Sequence, residues 1–306
     1  MDGTVSDVLR GRSFTRVSDW TGDELRLVLD LADELKTAQR ERREHRLLPG
    51  RALGMIFQKP STRTRVSFEV GIAQLGGFGL HLAAGELQLG RGETIRDTAT
   101  VLSRYLDAIM IRTFAQSDVD ELAEHASIPV INGLTDATHP CQALADVMTI
   151  RERLGRLDGV RVAYVGDGNN VLHSLAAACN RLGARVVAAT PEGYEPDPEE
   201  IERAGGVELV RDPRAAVDGA DVVYTDVWTS MGQEEERERR LRDFEGFRVD
   251  AELLRHAPAA IVLHCLPAHY GEEITEDVLY GPQSAVWDEA ENRLHAQKAL
   301  LALVVR

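Results

Sequence analysis

At 306 residues with 43% apolar side chains, the chain exceeds one typical domain and can fill two cores, so two domains of roughly 150 residues are expected. A formal charge of −15 leaves no basic face to neutralise phosphates, so no nucleic-acid partner is expected. No apolar run reaches the roughly 18 residues of a membrane span, and Met1 to Arg12 lack the charged-then-apolar order of an export signal, so no membrane association and a cytoplasmic location are expected.

Apolar runs of strand length stand at 52–57, 108–111, 130–131, 160–165, 185–189, 222–225 and 260–264. Amphipathic stretches lie between them, among them 68–75 and 174–182. Strand followed by helix, repeated, predicts an α/β fold of two doubly wound parallel-sheet domains, with the active site in the cleft between them. Pro140 opens a helix-like run to Leu154 that ends at Gly155, and a domain boundary is expected there, giving domains of 1–145 and 146–287. A final helix over 289–305 is expected to pack back, in a segment 288–306 assigned to the first domain. The charged run 233–242 (QEEERERRLR) reads as a solvated helix laced with (i, i+4) pairs.

Three cysteines, Cys141, Cys179 and Cys265, are odd in number and lack C-x-x-C spacing, which predicts neither a disulfide framework nor a structural zinc site. Lysine occurs only at Lys36, Lys59 and Lys298, with arginine carrying the remaining positive charge. Salt adaptation and a GC-rich genome both account for that balance.

In open parallel sheets ligands bind beyond the carboxyl ends of the strands. Here nearly every strand delivers polar groups to that edge. The first leads to Ser61-Thr62-Arg63-Thr64-Arg65, the second to Arg112, and the third, after a loop, to His139-Pro140-Cys141-Gln142. The 160–165 run leads to Gly166-Asp167-Gly168-Asn169-Asn170, the 222–225 run to Asp226 and Ser230-Met231-Gly232, and the last to Cys265-Leu266-Pro267. Hydroxyls and arginines at the start of a helix, expected near Val66, suit a phosphate, because leading helix amides lack partners and the dipole favours anions. No G-x-x-x-x-G-K-[ST] stretch is present, so no ATP P-loop is expected. Gly166-Asp167-Gly168 lacks the third glycine of a dinucleotide fingerprint, where Val171 stands, and reads as a tight strand-to-helix turn.

Phe57-Gln58-Lys59-Pro60-Ser61-Thr62-Arg63-Thr64-Arg65, His139-Pro140-Cys141-Gln142 and His264-Cys265-Leu266-Pro267 together resemble the aspartate/ornithine carbamoyltransferase family, along essentially the whole chain. Asp226-Val227-Trp228-Thr229-Ser230-Met231-Gly232 and the Cys-Leu pair at 265–266 resemble its ornithine branch. Gln58 departs from the family pattern, where Glu is common, with little expected consequence. The resemblance implies that Ser61, Thr62, Arg63 and Thr64 hold the phosphate of carbamoyl phosphate, and that Arg112, His139 and Gln142, with Pro140 and Cys141 between them, bind its carbamoyl group. It implies that Asn170, Asp226, Ser230 and Met231 hold an amino-acid head group, and that Cys265, Leu266 and Arg293 complete the site. It further implies a homotrimer, or an assembly of trimers, in which Gln88 reaches the phosphate of a neighbouring subunit.

The implied activity is transfer of the carbamoyl group to the side-chain amine of L-ornithine, giving L-citrulline and phosphate, with no cofactor and no metal. The amine is itself the nucleophile, so positioning and oxyanion stabilisation suffice. A lysine-like amine is neutral in only about one molecule in a thousand near pH 7.4, so activity is expected to rise into alkaline pH. A putrescine or aspartate acceptor, a nucleotide-binding oxidoreductase and a non-catalytic regulator that binds carbamoyl phosphate stay open as alternatives.

Overall fold

The computed structural model describes residues 8–83, 85, 92–230, 232 and 234–305. The chain divides into two compact units, residues 1–144 with 293–306, and residues 145–292.

The first unit is built on four parallel strands, β1 (Ala52–Phe57), β2 (Phe78–Ala83), β3 (Ala108–Arg112) and β4 (Val130–Leu134), in the order β2-β1-β3-β4. Its helices are α1 (Gly22–Arg40), α2 (Thr62–Gln74), α3 (Ile95–Leu102) and α4 (Gln116–His125). Strands β1 and β3 are buried at every position, as expected of parallel strands covered on both faces. Ile56, Ile109, Ile111, Val119 and Leu122 form one of their cores. The segment around Phe14 hydrogen-bonds to Val130 and Asn132 and covers the β4 edge. Strand β2 ends the sheet on the other side, with Phe78 and Leu80 exposed.

Helix α5 (Pro140–Leu154) runs across the first division of the chain, and α12 (Val286–Val304) across the second. The second unit carries β5 (Arg161–Val165), β6 (Arg185–Ala189), β7 (Glu208–Val210), β8 (Val222–Thr225) and β9 (Ile261–His264) in the order β7-β6-β5-β8-β9, all parallel. Helices α6 (Asn170–Arg181), α7 (Pro198–Ala204), α8 (Pro213–Val217), α9 (Arg237–Asp243) and α10 (Ala251–Leu254) connect them, and α11 (Glu276–Leu279) follows β9. Val165, Val187, Val223, Val262 and Ile274 pack in its main core.

Each sheet has one place where the strand order reverses direction. In the first it lies between β1 and β3, where Phe57 pairs with Arg112. In the second it lies between β5 and β8, where Val165 pairs with Thr225. These are the crevices where open α/β sheets bind ligands. No helix among the described residues is long and apolar enough to cross a membrane.

Two expectations about local structure change. Helix α2 starts at Thr62, four residues earlier than Val66, because Ser61 is its N-cap: the Ser61 hydroxyl accepts from the Thr64 amide at 3.2 Å. The run 233–242 is not simply a solvated helix, since Arg240 within it is buried.

Candidate functional site

In the first unit the groups gather at the β1/β3 switch point. Ser61 caps α2 and also donates to Thr64 Oγ1 at 3.1 Å. The first turn of a helix leaves its leading amides without intrahelical partners, which makes this end an anion cradle. Thr64 is buried, and Arg293 of α12 donates to its Oγ1 at 3.3 Å. The other arm of Arg293 donates to Gln142 Oε1 at 2.7 Å, so one guanidinium fixes both a hydroxyl and an amide. Arg112 is buried at the end of β3, and His139 is buried just before α5. Burial, then the charges of Arg293, Arg112 and Arg63, hold the His139 imidazole well below its usual range. His139 is therefore neutral at pH 7, with one ring N–H to donate, inside a field set by three guanidinium groups. That combination suits an anion with a polarisable carbonyl.

In the second unit a chain of polar groups crosses the β5/β8 switch point. Asn169 caps α6, its Oδ1 accepting from the amides of Val171 and Leu172 and from the Tyr164 hydroxyl at 3.1 Å. Its amide nitrogen donates to Asp226 Oδ2 at 2.8 Å, and the Cys265 thiol reaches Asp226 Oδ1 at 2.9 Å. Burial, then the Asp226 charge, push the Cys265 thiol well above its usual range. A thiol held in that form hydrogen-bonds and does not attack. Leu266, next in sequence, has φ +58°, a left-handed conformation that non-glycine residues rarely adopt and that clusters at functional sites. Its amide donates to His264 Nδ1 at 2.9 Å, which leaves the proton on Nε2 for Glu273 Oε1 at 3.0 Å. His264 thus braces the turn that presents Cys265 and Leu266. Beneath it, Glu289 accepts from the His264 amide and the Tyr224 hydroxyl, and its burial pushes its carboxyl up.

Gly168 settles the Gly-x-Gly question. A Cβ there would lie 2.2 Å from the Pro196 nitrogen, so the close approach is taken by the chain's own 194–196 segment, where a dinucleotide fold would admit pyrophosphate.

Comparison with known proteins agrees with this geometry. Residues 12–152 match the family model for the aspartate/ornithine carbamoyltransferase carbamoyl-P binding domain, and residues 158–304 match that for the Asp/Orn binding domain. The chain belongs to the aspartate/ornithine carbamoyltransferase family. A family member from Thermococcus kodakarensis named ornithine carbamoyltransferase is 58% identical, over 97% of each chain. The solved ornithine carbamoyltransferase of Pyrococcus furiosus superposes with a TM-score of 0.94 at 58% identity, covering 97% of this chain and 98% of that one. The Giardia lamblia ornithine transcarbamoylase, at 32% identity, still gives 0.86 over 95% and 97%.

Of the residues that the family resemblance singled out, Ser61, Arg63, Thr64, Arg112, His139, Gln142 and Arg293 belong to the first cluster. Thr62 is exposed at the first position of α2. Pro140 and Cys141 are buried in α5, and the Cys141 thiol donates to the Asn132 carbonyl at 3.3 Å. Asp226 and Cys265 are bonded together, and Leu266 and Ser230 lie half-buried in the loops after β9 and β8. Asn170 is half-buried at the first position of α6. Gln88 and Met231 lie outside the described residues. Arg65, counted with the phosphate cluster in sequence, instead pairs with Glu69 one turn on, at 3.2 Å.

Sequence reasoning missed two positions. Asn169, one residue before Asn170, donates to Asp226; a capping Asn ahead of a helix was the available signal. Arg240 donates to Asp167 Oδ2 at 3.0 Å and to the Trp228 carbonyl at 2.8 Å, tying α9 to the loops after β5 and β8. Trp228 stacks on Phe244 of the same segment. Nothing in a run of alternating charges marks which one turns inward.

Proposed function

We propose that this chain transfers the carbamoyl group of carbamoyl phosphate to the side-chain amine of L-ornithine, forming L-citrulline and phosphate. The observation that carries the reading is the neutral, buried His139 among Arg63, Arg112 and Arg293 at the capped end of α2. Ser61, Thr62, Arg63 and Thr64 hold the phosphate. Arg112, His139 and Thr64 face the carbamoyl oxygen, and Gln142, fixed by Arg293, takes the carbamoyl amide. The neutral amine attacks the carbonyl carbon, negative charge collects on the oxygen, and the C–O bond to phosphate breaks as the amine proton passes to the departing phosphate. Preorganised donors lower the barrier because they need not reorient as charge develops. Asn170, Asp226, Ser230 and Met231 hold the amino-acid head group, with Asn169 orienting Asp226. Cys265 and Leu266 line the approach of the amine.

A homotrimer fits the surface of the first unit. Phe78 and Leu80 on the terminal strand β2, and Val66 and Val70 on α2, are exposed apolar side chains close in sequence to Gln88, which would complete a neighbour's phosphate site. Three free thiols suit the reducing cytoplasm, where citrulline formation would feed arginine synthesis.

The deciding assay measures ureido product from carbamoyl phosphate with ornithine, putrescine and aspartate in parallel at pH 8.5. Product with ornithine and little with the others is the expected result. A preference for putrescine or aspartate would overturn the acceptor assignment, and no product with any of the three would overturn the enzymatic reading.

A further inference from the structure

The turn after β9 carries a second cluster with no part in the transfer reaction. His269, Glu272 and Glu273 each present one ligand atom, and the three atoms lie within 4.8 Å of one another. His269 Nδ1 is 3.8 Å from Glu272 Oε2 and 4.0 Å from Glu273 Oε2. Glu273 is fully buried. Its Oε1 accepts from His264 Nε2 and from the His269 amide, while its Oε2 is shut from water with no hydrogen-bond partner. Glu272 repeats the pattern: Oε1 takes the Arg237 guanidinium, and Oε2 is buried without a partner. Two unsatisfied carboxylate oxygens therefore face one imidazole nitrogen. Leaving such oxygens buried and unmatched is costly, and a cation between them removes that cost.

The geometry points to a divalent transition-metal site formed by His269, Glu272 and Glu273. A tetrahedral ion with ligands at about 2.0–2.2 Å sets its ligand atoms about 3.3 Å apart, so the three atoms draw in by roughly 0.5–1.5 Å on binding. His269 is 43% exposed on its side chain, so its ring can make that movement and leave the fourth position to water. One imidazole with two carboxylates selects Zn²⁺, Co²⁺, Ni²⁺ or Mn²⁺ over the all-oxygen preference of Mg²⁺ and Ca²⁺. Because Glu273 also holds His264, and His264 holds the Leu266 amide, an ion here clamps the whole turn from His264 to Glu273. A separate trio, Asp226, His264 and Cys265, also converges, but it includes the thiol of the acceptor-side cluster and would give a sulfur-ligated ion.

Cobalt(II) separates the two, since a thiolate ligand adds an intense near-ultraviolet charge-transfer band and nitrogen–oxygen ligation does not. Full-length protein freed of metal is titrated with Co²⁺ alongside His269→Ala and Glu272→Gln, following visible absorption and Tm. The expected result is one equivalent bound without a thiolate band, an upward shift in Tm, and at least tenfold weaker binding in both variants. His269 reaches solvent and Glu272→Gln keeps the shape of the side chain, and circular dichroism verifies that the variants fold. The site is disproved by unchanged cobalt binding in the variants, by a thiolate band accounting for all the bound cobalt, or by no binding at all.

Discussion

His139 shows how a residue's neighbours decide its chemistry. An imidazole in water is half protonated near pH 6.5, yet burial and three guanidinium groups keep this one neutral far below that. The sign follows from the charges, since adding a proton would place a fourth cation in the cluster. A neutral imidazole donates one hydrogen bond to a carbonyl oxygen without itself titrating during turnover. His139→Asn should therefore lose about 10²–10³-fold in kcat, the typical worth of one oxyanion donor. The ratio of wild-type to variant rates should stay constant from pH 6 to 9, because every other ionisation cancels in it. A ratio that bends through the ordinary histidine range would show that His139 titrates. Cys265 is held in the opposite sense: burial and Asp226 keep its thiol protonated. In the native protein at pH 8 its alkylation by iodoacetamide should be at least tenfold slower than that of an unfolded-chain thiol, as thiolate is the reactive form. Alkylation at the rate of a free thiol would mean that the Asp226 contact does not hold in solution.

At the scale of elements, the acceptor-side loops hang on α9. Arg240 grips Asp167 after β5 and the Trp228 carbonyl after β8, so one side chain sets the spacing of two loops. Burial raises the Asp167 carboxyl to about 6 even though Arg240 pulls it down. The ion pair is therefore half formed near pH 6, completed as the pH rises above it and lost as the pH falls below it. The KM for ornithine should rise below pH 6 in the wild type. Arg240→Met removes the pull, so its KM should be tenfold or more higher at pH 8, with kcat changed less and the pH dependence moved upward. An unchanged KM would mean that the loops are positioned without this tie. The variant should also lose about 3 kcal/mol of stability, because a buried carboxylate is stranded.

The same elements mark what could be read from the chain beforehand. Largely buried parallel strands announce themselves as apolar runs, and β1, β6 and β8 match their runs residue for residue. Strands β2 and β7 sit at sheet edges with none of their residues buried, so no continuous apolar run betrays them. The motif residues were legible because strand ends and helix starts place them by simple geometry. Asn169 carried a local signal as a helix cap, but its bond to Asp226, like the inward turn of Arg240, depends on tertiary packing that no local pattern marks.

At the scale of the whole molecule, a net charge of −15 makes each copy repel its neighbours, and any assembly must bury enough apolar surface to offset this. The two edges of the first sheet are treated differently. The β4 edge is closed by the chain's own residues near Phe14, whereas β2 presents Phe78 and Leu80 outward. An open apolar edge is a liability in a monomer and an asset at an interface. If Gln88 of one copy completes the phosphate site of the next, lesions in Gln88 and in Arg112 lie on opposite sides of a shared site. Gln88→Ala and Arg112→Ala should each be nearly inactive alone. When the two are dissociated together and reassembled, about a quarter of the sites in randomly mixed trimers pair two intact contributions, and activity should return toward that fraction. Sites contained within one subunit would leave the mixture as inactive as its parents, whatever the oligomer measured by sedimentation.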